Sequence, residues 1–318
     1  MKVAIIGAAG SVGSCVAFNI AAQRLADEIL LIGGSRQNFL QHHAMDISTA
    51  VSALDVAVYP GDYADLAGSD IVINTAGVAQ GLIADRMEML PKNIPLVRHI
   101  ACHIQRYCPE AVVINACNPI DPLTYAMYLA GDFDPKKLIG YSYNDSVRFR
   151  ELVAAAKGVR VSQVEATVIG EHGRTQVLLF SSVRIDGRPV DFTLEEKERI
   201  RQTVPTILHR YESLQTGRTA GWTCATGIAA LVRAMVEDRG ELFPSSVMLD
   251  GQYGCSNLAM GVPVRIGRQG VREILQWELA ADEQEGLAVT TALLRSAART
   301  VEQGLQALEP PRIGQLKG

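Results

Sequence analysis

The chain has 318 residues, 48% hydrophobic and 20% charged, enough to bury a full core and divide it between two domains of ordinary size. A formal charge of -4, with lysine and arginine spread along the whole length, excludes a basic stripe able to neutralise a nucleic-acid backbone, so nucleic acid is not an expected partner. Six cysteines, at 15, 102, 108, 117, 224 and 255, show no Cys-x-x-Cys pairing and no zinc-finger histidines, which points to free thiols in a reducing, cytoplasmic compartment.

Lys2 precedes an apolar stretch, Val3 to Ala22, of signal-peptide length. Gly7, Gly10 and Gly13 break it into a short strand and a small-residue helix, so neither secretion nor membrane attachment is expected. Val3–Gly7, Ile29–Gly33, Ile71–Thr75 and Val112–Ala116 are short, β-branched and bounded by turn residues, and they alternate with helical patterns. That alternation predicts buried parallel strands in β-α-β units. The helix after Arg86 carries Pro91 and Pro95, and a proline fits only a helix's first turn, so an irregularity is expected there.

After Ser142 the pattern changes to a helix near Ser146–Lys157, then β-rich segments at Val164–Gly170 and Gln176–Val190, the second with the turn Asp186-Gly187. Helices follow near 194–214, 219–238 and 282–307, with strand-like Ser246–Asp250 and Val262–Ile266 between them. The expected fold class is α/β: a Rossmann-type doubly wound parallel sheet over residues 1–143 and a C-terminal α+β catalytic domain over residues 144–318.

Gly7-Ala8-Ala9-Gly10-Ser11-Val12-Gly13 lies between the first strand and the first helix. Glycines there permit a tight turn and let backbone N–H groups approach a pyrophosphate at the helix N-terminus. The spacing is one residue looser than the usual dinucleotide fingerprint. The second strand of such a unit normally ends in an acidic residue that binds ribose hydroxyls. Here it ends in Gly33-Gly34-Ser35-Arg36, with no carboxylate to repel a 2′-phosphate and a serine and an arginine to bind one. NADP(H) is therefore expected at least as readily as NAD(H); alternatively Arg36 lies against adenine or solvent.

His172 stands in Gly170-Glu171-His172-Gly173 at the end of a predicted strand, and histidine is the side chain that titrates naturally near neutral pH. Asn144-Asp145-Ser146-Val147-Arg148 opens a helix, which places Asp145 and Arg148 on one face. Taken singly, His172 could be structural, Asp145 a helix-terminal anion and Arg148 a surface cation. Together with Asn118-Pro119-Ile120-Asp121 and the arginine-bearing segment after Ala76-Gly77, they recur in the order of one family. The chain resembles the lactate/malate dehydrogenases over nearly its whole length.

That resemblance implies a hydride transfer between nicotinamide and a small 2-oxo or 2-hydroxy acid. His172 would be the proton donor and acceptor, Asp145 its partner, and Arg86 the loop residue that polarises the carbonyl. Arg148 would grip the substrate carboxylate through two hydrogen bonds, with Asn118, Gln80 and Thr223 lining the substrate site. Gly7, Gly10, Ser11, Val12, Gly13, Gly33, Ser35, Arg36, Thr75, Ala76, Gly77, Asn93 and Asn118 would hold the cofactor, with no metal. Family members form dimers or tetramers, so a homo-oligomer is expected.

Six residues before the loop arginine, malate enzymes carry a second arginine and lactate enzymes a glutamine; here the residue is Gln80. A distal carboxylate buried without a cation is costly, so a monocarboxylic, lactate-type acid is expected. Leu82 and Ile83 either face the substrate, which suggests an acid bulkier than pyruvate, or pack against the body of the protein when the loop closes. The runner-up is malate and oxaloacetate, because Met1–Gly13 and the Gly33 strand end resemble malate dehydrogenases of the lactate-dehydrogenase-like type. Two other classes share the architecture: an NAD-dependent glycoside hydrolase with a metal held near Cys117, and a silent dinucleotide sensor.

Overall fold

The structure, a computed structural model, describes residues 1–34, 36–78, 86–216 and 220–308. In the first half β1 (Lys2–Ile6), α1 (Ser11–Ala22), β2 (Glu28–Ile32), α2 (Gln37–Ala50), β3 (Ala57–Gly61), β4 (Ile71–Asn74), α3 (Leu90–Tyr107), β5 (Val112–Asn115), α4 (Ile120–Gly131) and β6 (Leu138–Gly140) alternate. The second half begins with α5 (Tyr143–Lys157) and five two-residue strands, β7 (Val164–Glu165), β8 (Val168–Ile169), β9 (Val177–Leu178), β10 (Arg184–Ile185) and β11 (Arg188–Pro189). It continues with α6 (Leu194–Ser213), α7 (Gly221–Glu237), β12 (Glu241–Asp250), β13 (Ser256–Gly267), β14 (Gly270–Ile274) and α8 (Ala281–Gln306).

The strands of the first half pair in parallel in the order β3-β2-β1-β4-β5-β6. Side chains alternate between the two faces of a strand, and both faces are buried. Val3, Ile5, Ile29, Leu31 and Ile73 join one core with residues of α1, α2 and α7. Ala4, Ile6, Leu30, Ile32 and Val72 join the other with residues of α3, α4 and α8. This two-sided burial is why the strands read as unbroken apolar runs. The strand order reverses between β1 and β4, and the crevice beyond their carboxyl ends is where an open α/β sheet takes its ligand.

The second half does not build only a separate layer. β12 and β13 form a long antiparallel hairpin, and β12 meets β6 at Ser246 opposite Gly140, so one nine-stranded sheet runs through both halves. A smaller core gathers Phe149 and Val153 of α5, Val164, Phe180 and Val183, and Ile200 of α6. The turn at Asp186-Gly187 has both residues at positive φ, 49° and 74°, as a two-residue hairpin requires. A 3₁₀ turn at Arg86–Met89 precedes α3, whose first turn takes Pro91 and whose interior takes Pro95. Among the described residues no helix is long and apolar enough to cross a membrane.

α3 carries a buried histidine. His103 is stacked on Tyr63 at 4.1 Å and lies beside His99 and Tyr107, and neither ring nitrogen has a partner among the described residues. Loss of hydration, with His99 and Arg106 nearby, pushes its pKa down to about 4. The unfolded chain therefore takes up this proton first, near pH 6.5, and the native state loses stability as the pH falls from there toward 4. His103→Phe should remove that slope. On going from pH 7 to about pH 4.5 the wild type should lose about 1–2 kcal/mol relative to the variant, as followed by urea melts. That is less than the full 1.36 kcal/mol per unit, because water reaches the neighbouring His99. A constant gap would show that His103 does not titrate in this way.

Candidate active site

The glycine turn sits at the switch point. Gly7 has φ 86°, and a Cβ there would lie 2.6 Å from the Ala76 nitrogen. One on Gly13 would lie 2.6 Å from the Gly7 oxygen and 2.8 Å from Thr75 Oγ1. The absent side chains bring the turn, the start of α1 and the Thr75-Ala76 segment together as one wall. The Gly7 and Ala8 N–H groups donate to the Ile32 carbonyl at 2.8 and 3.0 Å, which ties the turn to the end of β2. Ser11, Val12 and Gly13 form the first turn of α1, where backbone N–H groups lack helical acceptors and favour an anion. Gly221, at the start of α7, closes on the Ser11 carbonyl, where a Cβ would sit 3.3 Å away.

Two buried asparagines brace the next wall. Asn74 and Asn115 end β4 and β5, and Asn74 Nδ2 donates to Asn115 Oδ1 at 3.0 Å. Their oxygens accept the N–H groups of Ala76 and Cys117, shaping both following loops. Asn93 is also buried; its Oδ1 accepts the Val78 N–H at 2.8 Å and its Nδ2 donates to the Asn118 carbonyl at 3.1 Å. Its amide thus sets the spacing between the two loops. Asn118 Oδ1 is buried without a partner among the described residues, which leaves an acceptor for an amide such as the nicotinamide's. With the glycine cradle, it makes the residues present fit a dinucleotide.

Gly33 packs under Leu40 and Ala9, whereas Gly34 faces open space. Arg36 immediately precedes α2, with its guanidinium 5.6 Å from the Phe39 ring centre. Ser35 and the segment 79–85, which contains Gln80, Leu82 and Ile83, lie outside the described residues.

The candidate acid/base group is built from three elements. His172 Nδ1 and Asp145 Oδ2 are 2.5 Å apart, and the two side chains are only 7% and 5% exposed. Burial alone would raise the Asp145 pKa, but His172, Arg148 and Arg86 outweigh it and hold the carboxyl below its ordinary range. An ionised Asp145 fixes the proton on Nδ1 and leaves Nε2 for chemistry. Arg148 Nη1 donates to the other carboxylate oxygen at 3.2 Å. Arg86 Nη1 donates to the His172 carbonyl at 3.4 Å, and loss of hydration lowers the Arg86 pKa. Two guanidinium groups beside one aspartate leave positive charge for an anionic substrate to meet.

The loop that carries His172 is held from all sides. Gly170 exchanges both backbone hydrogen bonds with Gly261 of β13. Glu171 N–H donates to Thr290 Oγ1 of α8 at 2.8 Å, and the Glu171 carboxylate accepts the N–H and hydroxyl of Thr175. His172 N–H donates to Asp121 Oδ2 at 2.7 Å. On α7, Thr223 is half-buried, and Cys224 Sγ accepts from Asn144 Nδ2 at 3.1 Å. The parts played by Thr290, Asn144 and Cys224 have no local signal in the sequence, because their partners are distant along the chain. Cys117 is 3% exposed and packs where Gly77 leaves room, so it is not placed as an open metal ligand. Among the described residues no cluster of His, Cys, Asp or Glu could hold a metal ion.

Comparisons with known proteins fit this geometry. Residues 1–140 match the family model described as "lactate/malate dehydrogenase, NAD binding domain", and residues 144–304 match that of the family's alpha/beta C-terminal domain. A malate dehydrogenase of Natronomonas pharaonis is 37% identical over 291 residues, covering 89% of this chain and 94% of that protein. One from Chlorobium phaeovibrioides is 31% identical and covers 96% of this chain and 100% of that protein. Among solved structures, the malate dehydrogenase of Cryptosporidium parvum superposes with a TM-score of 0.90 at 28% identity, over 95% of this chain and 99% of that one. The lactate dehydrogenase of the same organism, solved with lactic acid and nicotinamide adenine dinucleotide, superposes with a TM-score of 0.89 at 29% identity, over 95% and 98%.

Proposed function

The chain belongs to the lactate/malate dehydrogenase family, and on that premise we propose that it oxidises and reduces an L-2-hydroxy acid and its 2-oxo partner at the His172 site. It is an oxidoreductase with a nicotinamide cofactor. The observation that carries the site assignment is the buried His172-Asp145 pair with Arg148 and Arg86 around it.

A nicotinamide cofactor, which the glycine turn and Asn118 would hold, would supply or accept the hydride at the acid's second carbon. His172 Nε2 gives the matching proton to the carbonyl oxygen during reduction and takes it back during oxidation. Asp145 stabilises the imidazolium between those events. Arg148 offers a planar fork to the substrate carboxylate, and Arg86 places positive charge where the carbonyl oxygen becomes an alkoxide.

Oxaloacetate and malate are the substrate pair placed first, because both sequence relatives described above, at 37% and 31% identity, are named malate dehydrogenase. That reading requires a cation other than residue 80 for the distal carboxylate. A lactate-type, monocarboxylic acid is the second reading, and Gln80 favours it. Initial rates with oxaloacetate, pyruvate, longer aliphatic 2-oxo acids and phenylpyruvate separate the two. The highest kcat/KM is expected with oxaloacetate, and a higher value with any monocarboxylic acid installs the second reading. Gln80→Arg should raise the oxaloacetate-to-pyruvate ratio by about 10-fold or more through a new charge-assisted pair. An unchanged ratio would show that residue 80 does not face the substrate.

The cofactor pocket is proposed to take NADP(H) as well as NAD(H). The end of β2 offers no carboxylate, and Arg36 stands exposed at the start of α2. Arg36→Ala should lower kcat/KM for NADPH by about 10–100-fold, the value of one hydrogen bond to a charged group, and leave NADH within about threefold. An equal effect on both cofactors would remove Arg36 from this role.

A further inference from the structure

One buried carboxylate at the site is not used by the reaction scheme above. Asp121 is the second residue of α4, directly after the Asn118-Pro119 turn, and is 1% exposed. Its Oδ2 accepts the His172 N–H at 2.7 Å, while its Oδ1 has no partner among the described residues. Around it the structure is filled. A Cβ on Gly140 would lie 2.5 Å from Thr124 Oγ1, 2.7 Å from the Ser246 Cβ and 2.9 Å from the Ile120 side chain. The start of α4, β6 and β12 therefore meet without slack, and Asp121 is mounted on a rigid platform.

We infer that Asp121 is a positioning residue: its carboxylate fixes the main chain of His172 and sets a second negative charge behind the imidazole, linking the acid/base group to the Asn118 turn. The inference rests on His172 being the acid/base. A carboxylate would not be kept in so dry a place for helix capping alone, since an exposed anion in the same first turn would serve. Burial raises the Asp121 pKa to about 6, more than the nearby Ser246 hydroxyl and the His172 N–H together offset, so its charge is held at a cost. Asp121 and His172 are also close enough to interact through space. Among the described residues, the other charged or titratable groups of this neighbourhood are Asp145 and Arg148 from α5, Arg86 from the 3₁₀ turn, Cys224 from α7, and Glu171 from the His172 loop. Removing Asp121 leaves that set intact.

The test compares Asp121→Asn, Asp121→Ala and His172→Ala in both reaction directions across pH. Asparagine keeps the shape and an acceptor for the His172 N–H but removes the charge. The pH at which 2-oxo acid reduction falls away, as the imidazolium is lost, should then move down by about 0.5–1 unit. The acid limb of hydroxy-acid oxidation should move down with it. Asp121→Ala should lower kcat by about 10–100-fold, the usual loss for a group that orients a reacting one, with KM for the cofactor little changed. A capping role would lower the melting temperature of both variants and move neither limb. Superimposable profiles for wild type and Asp121→Asn overturn the inference, and that variant alone decides if the alanine protein does not fold. Full turnover by His172→Ala would instead overturn the reading of the site itself.

Discussion

His172→Ala should lower kcat by about 10²–10⁴-fold, the contribution of a positioned general acid or base, while cofactor affinity stays within about threefold. The reasoning starts from the Nδ1 to Asp145 contact of 2.5 Å, which holds one ring nitrogen and aims the other at the substrate. Deleting the ring removes the side chain placed to exchange a proton with the substrate, and histidine is the residue type suited to that near neutral pH. The fold should tolerate the change. Asp145 keeps Arg148 at 3.2 Å and Arg86 nearby, so it is not left as a lone buried charge. The glycine cradle and the Asn118 turn are tied to other elements and should bind dinucleotide as before. Stopped-flow hydride transfer and fluorescence titration of NADH measure the two quantities separately. Unaltered turnover with intact cofactor binding would reject the acid/base assignment, and loss of both together would mean that the ring serves the fold.

Much of this arrangement is legible in the sequence, and the exceptions have physical reasons. β1, β2, β4 and β5 stand out because burial on both faces demands unbroken β-branched runs. β3 does not stand out, because it is an edge strand, half-exposed, and contains Pro60. β6 is three residues long, too short for any pattern. The continuation of the sheet through β12 rests on one residue pair, Ser246 with Gly140, and no local periodicity encodes a pairing so distant in the chain.

The site divides in the same way. Asp145 and Arg148 are a helical i, i+3 pair, so their meeting follows from helix geometry alone. The glycine turn is legible because each missing side chain would collide with backbone within the same unit. The support of His172 is not. Thr290 reaches the loop from 119 residues away and Asp121 reaches it from 51, and each is an ordinary helix residue by type. Asn93 matches a cofactor-site position, yet only the structure reveals that its amide bridges the loops at Val78 and Asn118.

Arg148→Lys should lower kcat/KM for the 2-oxo acid by about 10–150-fold, and Arg148→Met by about 10³-fold or more. The argument turns on geometry as much as charge. Arg148 is 11% exposed and its Nη1 is already oriented by Asp145, so the rest of the guanidinium plane is presented as a fixed fork. A carboxylate takes two parallel hydrogen bonds from such a fork and only one directed bond from an ammonium. The lysine variant keeps the charge and loses one bond of about 1.5–3 kcal/mol, whereas methionine loses both bonds and the charge. Because the substrate carboxylate is equally ionised in the ground and transition states, most of the lysine defect should fall on KM. The methionine variant should also lower kcat, since Asp145 then answers to fewer cations and His172 is less firmly held. A lysine variant within about threefold of wild type would show that Arg148 acts as a mere positive charge. If KM were unmoved while kcat fell, Arg148 would serve the imidazole rather than the substrate.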